Sequence, residues 1–266
     1  MITSPLLSTL TLPAISDAYT NLARVVNNPS AGVSEMSKII RADPALAVGV
    51  LRLANTAAAG RRDVVDVSVA VTYLGAQKVM DFVLTASMKH LFSGAVGAAA
   101  YWTHSVRVAS YAQAIAELRM PEVNPEHAFT AGVLHDLGML AMTVHYSAKY
   151  TDIAAHYHGI DLLHRETLAF GFDHPELGAA LARAWNVPEP YCTAIACHHG
   201  DGLAEIHDPL VANLAKAVAM GDQLGTWPAG EVNQWMQSAL NIPDNDWVDL
   251  HARAAEIQRQ TRALFQ

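Results

Sequence analysis

Proline is absent from residues 45–120, and through that stretch apolar residues recur three and four apart instead of alternating. A segment patterned this way buries a single apolar stripe only when it winds into a helix. DPALAVGVLRLANTAAAG makes the case most clearly. Asp43 can cap, Pro44 takes the first helical position, and Leu46, Val50, Leu53 and Ala54 form the stripe, with Gly60 as the expected stop. Ser34, with Glu35 and Lys38, opens a shorter helix that ends before Pro44. The β-branched run Ser68–Leu74 can be read as a strand, but its Ala70/Val71/Leu74 spacing before Gly75 fits a short helix at least as well. Gln77–Leu91 reads as a long helix.

A second block begins near Gly97. Trp102–Leu118 is an amphipathic helix carrying His104, with Val106, Val108 and Ala109 as packing positions. Pro125-Glu126 opens the next helix, which is expected to carry His135 and Asp136 and to run toward His145; Ala128, Ala131 and Gly132 permit close helix approach. Asp173-His174-Pro175-Glu176 is a further helix start, and Val187–His199 and Pro209–Leu224 supply two more. The tail from Glu231 holds at least one helix, anchored by Trp235 and Trp247. The expectation is an all-α chain of about a dozen helices with a boundary near residue 95.

The 266 residues are 52% hydrophobic and 16% charged, the balance of a chain with a sizeable core, in one large domain or two smaller ones. No apolar stretch reaches the roughly 20 residues needed to cross a bilayer, and the N-terminus lacks a basic start followed by an apolar run. Cys192 and Cys197, the only cysteines, lack C-x-x-C spacing and point to a reduced, cytoplasmic setting. The net charge of −8 is uneven: residues through 95 sum to near +2 and the remainder to near −10. With no Lys/Arg stripe beyond the pair Arg61-Arg62, neither nucleic acid nor a membrane is an expected partner.

Eleven of the thirteen histidines lie between His104 and His207. Imidazole is the commonest ligand for divalent metals near neutral pH, and carboxylates suit harder or borderline ions. His135 and Asp136, adjacent on a helix, would point about 100° apart and could not make a tight site alone. If His104, His174, His198 and Asp222 reach the same space from neighbouring helices, the ligand count suffices for one ion or two. Asp136 could then bridge two ions placed to polarise and orient a phosphoryl group. Each residue also fits a plainer role: His104 bonded to a backbone carbonyl, His198-His199 at a helix end, His174 closing a turn. His127, His145, His156, His158, His164 and His207 read as surface or supporting positions.

The order of these residues resembles the HD superfamily of metal-dependent phosphohydrolases over 96–225, through WTHSVRVA, AGVLHDLG, HPELGAALARAW, IACHHG and NLAKAVAMGD. With LPAISDAY, SEMSKIIRADPALAVGVLRLANTAAAG and SVAVTYLGAQKVMDFVLTASM, the chain more specifically resembles the HDOD domain, a bacterial signalling relative, over about 8–225. The resemblance implies an N-terminal HDOD-specific helical bundle packed on an HD-like bundle, divided here as 1–95, 96–225 and a C-terminal helical extension, 226–266. Members of the family usually act in signal transduction, and many have lost the HD ligands. This chain keeps His104, His135, Asp136, His174, His198, His199 and Asp222, which match the ligand pattern of the cyclic di-GMP-hydrolysing HD-GYP branch. It departs from that branch at Met139, where a phosphate-facing lysine would stand, at Gly200-Asp201-Gly202-Leu203, which replaces the glutamate and GYP signature, and at Ala100, where some members place another carboxylate.

The resemblance therefore implies a regulatory protein with a retained metal centre of one or two divalent ions, Fe, Mn or Zn, and a signalling protein partner. The alternatives are a phosphohydrolase or phosphodiesterase acting on a phosphate-containing ligand, with Asp136 as bridging carboxylate, and a scaffold with an empty polar cavity.

Overall fold

The computed structural model describes Leu7 and residues 14–28, 32–58, 63–92, 97–226 and 246–265. Among them every regular element is helical, and no single helix is long and apolar enough to cross a membrane. The chain forms two compact units: Ala14–His90 with Arg259–Gln266, and Leu91–Gln258.

The first unit comprises α1 (Asp17–Val26), α2 (Val33–Ala42), α3 (Pro44–Ala57), α4 (Val67–Leu74) and α5 (Ala76–Phe92). Its helices begin where short polar side chains accept the otherwise unpaired N–H groups of a first turn. Ser16 Oγ accepts from Tyr19 N, Asp43 from Ala45 and Leu46 N, and Asp66 from Ser68 and Val69 N. The Ser34 start is displaced: α2 begins at Val33 with Gly32 at the cap position. Ser68–Leu74 is helical because Asp66 caps it and Arg41 of α2 holds that carboxylate at 2.8 Å. Gly75 then takes φ 80°, a left-handed conformation that favours glycine, and α5 leaves at 109°. Leu22, Ile40, Val50 and Val83 are fully buried. The expected stop at Gly60 lies outside the described residues, as does Trp235.

The second unit contains α6 (Ala98–Arg119), α7 (Pro125–Leu134), α8 (Leu137–Tyr146), α9 (Ala148–His156), α10 (Gly159–Phe170), α11 (His174–Ala184), α12 (Glu189–Ala196), α13 (Pro209–Thr226) and most of α14 (Asp246–Phe265). α6 packs along α7 and α13, and α8 packs against α11. These crossings are set by residues without bulk. A Cβ on Gly132 would stand 2.5 Å from Ala109 Cα, and one on Gly221 would stand 2.8 Å from the Val108 carbonyl oxygen. A Cβ on Gly138 would overlap the carbonyl oxygen of His174. Trp247 is buried on α14, where Tyr111 Oη meets His251 Nδ1 at 2.9 Å and Arg253 pairs with Glu117.

Two expectations are corrected. The helix opened by Pro125 does not carry His135 and Asp136; it stops at Leu134, and α8 starts at Leu137. Likewise α12 ends at Ala196, leaving His198 and His199 in the turns that follow. α9 and α10 fill a stretch in which the sequence pattern suggests no element.

Candidate metal centre

The helix break is what lets adjacent residues address one point. His135 keeps helical dihedrals (φ −52°, ψ −41°), while Asp136 moves to φ −95°, ψ 20°, which turns its carboxylate away from the direction a continuing helix would impose. At a helix C-terminus the last carbonyls lack intrahelical partners. One of them fixes the ring: His135 Nδ1 lies 2.8 Å from the Gly132 carbonyl oxygen. His198 repeats the device, with Nδ1 2.7 Å from the Ile195 carbonyl oxygen. A carbonyl only accepts, so Nδ1 carries the proton in both rings and Nε2 is turned inward.

The third ring is fixed differently. His174 opens α11, where Asp173 caps by accepting from Glu176 N at 2.9 Å. Its Nδ1 donates to Glu166 of α10, 2.9 and 2.8 Å from the two carboxylate oxygens. Glu166 also accepts from His174 N and from Tyr150 Oη, and its side chain has no exposure. Sequence reasoning missed Glu166. The available signal was a carboxylate in an apolar stripe, since it shares the buried face of α10 with Leu162 and Leu163.

All seven residues expected as ligands come together. Gly132 against Ala109 sets α6 beside α7, bringing His104 Nε2 to 3.2 Å from His135 Nε2. Gly221 against α6 places Asp222 Oδ1 3.6 Å from both of those nitrogens. Gly138 against the start of α11 places His174 beside Asp136. Asp136 then divides its two oxygens. Oδ2 faces His104 at 3.3 Å and His135 at 3.2 Å; Oδ1 faces His198 at 3.4 Å and His174 at 3.7 Å. On that second side His174 Nε2 lies 3.3 Å from His198 Nε2 and 3.0 Å from His199 Nε2. His199 Nδ1 reaches Asp222 Oδ2 at 3.7 Å.

These separations fit a cation. Ligands about 2.0–2.1 Å from a metal stand roughly 3.0–3.4 Å from one another along the edges of its coordination shell. The His174 and His198 rings, both protonated at Nδ1, would otherwise aim two lone pairs at each other. His135, His174 and His198 are fully buried; Asp136 and Asp222 nearly so. The imidazoles of His104 and His199, each 21% exposed, form the open rim.

The electrostatics agree. Burial alone would lower the His135 imidazole, but the charges of Asp136 and Asp222 outweigh it and raise its pKa to about 10. Burial would likewise push the Asp136 carboxyl up; His135, His104 and His198 hold it well below the usual carboxylate range. Asp222 is lowered against its own burial by His135 and His198. His199 moves the other way, to about 3, through burial and the neighbouring His198 and His174. Without a metal, then, positive charge is drawn to the side nearest His135 while His199 stays neutral.

The residues outside the cluster also have definite places. His156, His158, His164 and His207 are exposed, and Ala100 is exposed one turn before His104. Met139 is half-buried on the first turn of α8. Cys192 and Cys197 are free, buried thiols.

The HDOD domain profile matches residues 12–200, and the chain belongs to the HDOD domain family. An HDOD domain protein from Geobacter sulfurreducens is similar over 98% of this chain and 96% of its own, with 25% identity and a TM-score of 0.72. A protein described as a candidate phosphohydrolase, from Shewanella amazonensis SB2B, is 28% identical over 97% of this chain and 98% of its own, with a TM-score of 0.70. An uncharacterized protein of Treponema pallidum (strain Nichols) is 27% identical over 212 residues, 77% of this chain. The matched part is 41% of that relative's length.

Proposed function

We propose that this chain is a regulatory HDOD protein whose Leu91–Gln258 unit holds a pair of divalent transition-metal ions. The observation that carries the reading is the opposition of His174 Nε2 and His198 Nε2 at 3.3 Å, both rings being fixed from behind through Nδ1. His104, His135, Asp222 and Asp136 Oδ2 would hold one ion; His174, His198, His199 and Asp136 Oδ1 would hold the other. Mixed imidazole and carboxylate donors suit Fe, Mn or Zn. A regulatory role is supported by the half-buried, uncharged Met139 three residues after Asp136 and by likeness to the MmoQ response regulator of Methylococcus capsulatus (25% identity, TM-score 0.51). In that role the unit would answer a phosphate-containing ligand and pass the response to a signalling protein.

Elemental analysis of protein purified without chelator tests the reading. About two equivalents of Fe, Mn or Zn are expected, and Asp136→Ala should lose both ions because its two oxygens serve both sets. A metal-free wild type that takes up none of the three ions on reconstitution would sink the proposal.

A second reading, phosphoester hydrolysis, is favoured by one specific observation: the bridging position of Asp136 between two imidazole sets. Bound ions would supply Lewis acidity and positive charge toward a phosphoryl group. The chain's own part would be to hold two positions at a fixed spacing and to admit a ligand past His104 and His199. Mn²⁺- or Fe²⁺-dependent turnover of a cyclic dinucleotide, a nucleotide or an aryl phosphate, abolished in Asp136→Ala, is the outcome this reading requires.

A further inference from the structure

Glu166 is the most deeply buried carboxylate among the described residues, and most of its contacts are to one neighbour, His174. Its side chain has no exposure, and Oε1 accepts from Tyr150 Oη at 2.7 Å. Oε2 accepts from the His174 backbone N–H at 2.8 Å, and the His174 Nδ1 proton lies between both oxygens. An ionised carboxylate withdrawn from water is costly unless donors surround it, and these donors do. At the start of α11 Asp173 accepts from Glu176 N and Glu166 takes the His174 N–H, so the contact to Nδ1 is additional to capping. The two rings fixed at helix ends lean on neutral carbonyls. Of these three rings hydrogen-bonded from behind, only His174 is backed by a carboxylate.

We propose that Glu166 is a positioning residue for one of the two ion positions, the one served by His174, His198, His199 and Asp136 Oδ1. It fixes the His174 ring with Nδ1 protonated and Nε2 directed at that position, and it makes Nε2 a stronger donor than a carbonyl partner would. Tyr150 holds the carboxylate in turn. At the second position His135 is backed by the Gly132 carbonyl, and among the described residues no carboxylate is hydrogen-bonded behind that ring, so the two ions are held with unequal strength. This inference rests on the metal reading above.

The test is Co²⁺ titration of the chelator-stripped protein, followed by calorimetry and visible absorption. In Glu166→Gln one wild-type binding event should weaken by roughly 10- to 100-fold, with its absorption band altered, while any other event is unchanged. Tyr150→Phe should weaken the same event by less, because both Glu166 contacts to His174 remain. Glu166→Gln binding Co²⁺ with wild-type affinity overturns the inference and leaves the metal reading standing. A wild type that binds no Co²⁺ defeats the metal reading itself. Should Glu166→Gln fail to fold, ¹⁵N chemical shifts of the Zn²⁺-loaded wild type decide: a protonated His174 Nδ1 with metal-bound Nε2 is expected, and coordination through Nδ1 overturns the proposal.

Discussion

In the Ala14–His90 unit, Asp43 and Asp66 stand at helix ends and serve the backbone; in the Leu91–Gln258 unit, Asp136, Glu166 and Asp222 stand in the core among imidazoles. Asp43 and Asp66 each accept from two N–H groups at the start of a helix, within reach of water. Asp136, Glu166 and Asp222 are buried with His135, His174 and His198. The partners of Asp136 are all imidazoles. Apolar side chains filling the same volume would often stabilise a core at least as well as buried ionic groups. The second unit thus retains a polar interior in which imidazoles and carboxylates from several helices converge.

Gly138→Ala should break the contrast most severely. Its methyl has no room at the α8–α11 crossing, where the neighbour is the His174 backbone. A loss of about 3 kcal/mol in urea unfolding is expected, together with weakened metal uptake, because His174 and Asp136 are set by that contact. Asp43→Ala sharpens the contrast from the other side. It should cost about 1 kcal/mol by removing the cap of α3, with metal content equal to wild type.

The smallest effect concerns an ion pair in the second unit away from the cluster. Burial would raise the Glu117 carboxyl, but Arg253 and Gln113 outweigh it and hold its pKa below its ordinary value. A carboxylate lowered on folding contributes stability that is present above its unfolded value and lost as the pH falls through the folded one. Wild type should therefore exceed Glu117→Gln in stability near neutrality, and the gap should close on acidification. A gap constant across that range in thermal melts would remove this pair from the account.

The all-helical class was legible because Asp43-Pro44 and the apolar spacing of Leu46, Val50 and Ala54 are local signals. The seven candidate positions stand in the sequence as an ordered set, although their convergence depends on helix crossings that no single segment encodes. The break at His135-Asp136 was not legible: Leu134 and Leu137 continue the helical apolar spacing, and no proline or glycine interrupts them. α9 and α10 were missed for want of a strong stripe or stop. Glu166 could be identified only once α10 was known to lie behind His174, since its role is defined by a partner on another helix.

Because His135 and His198 are both fixed to the carbonyl three residues earlier, the centre is indexed to where two helices stop. Adding or removing one residue in α7 or α12 would rotate each following ring by about 100°. The length of these helices, counted in single residues, is thus a specification of the chemistry, and drift by insertion is closed to them even though the loops nearby could absorb it.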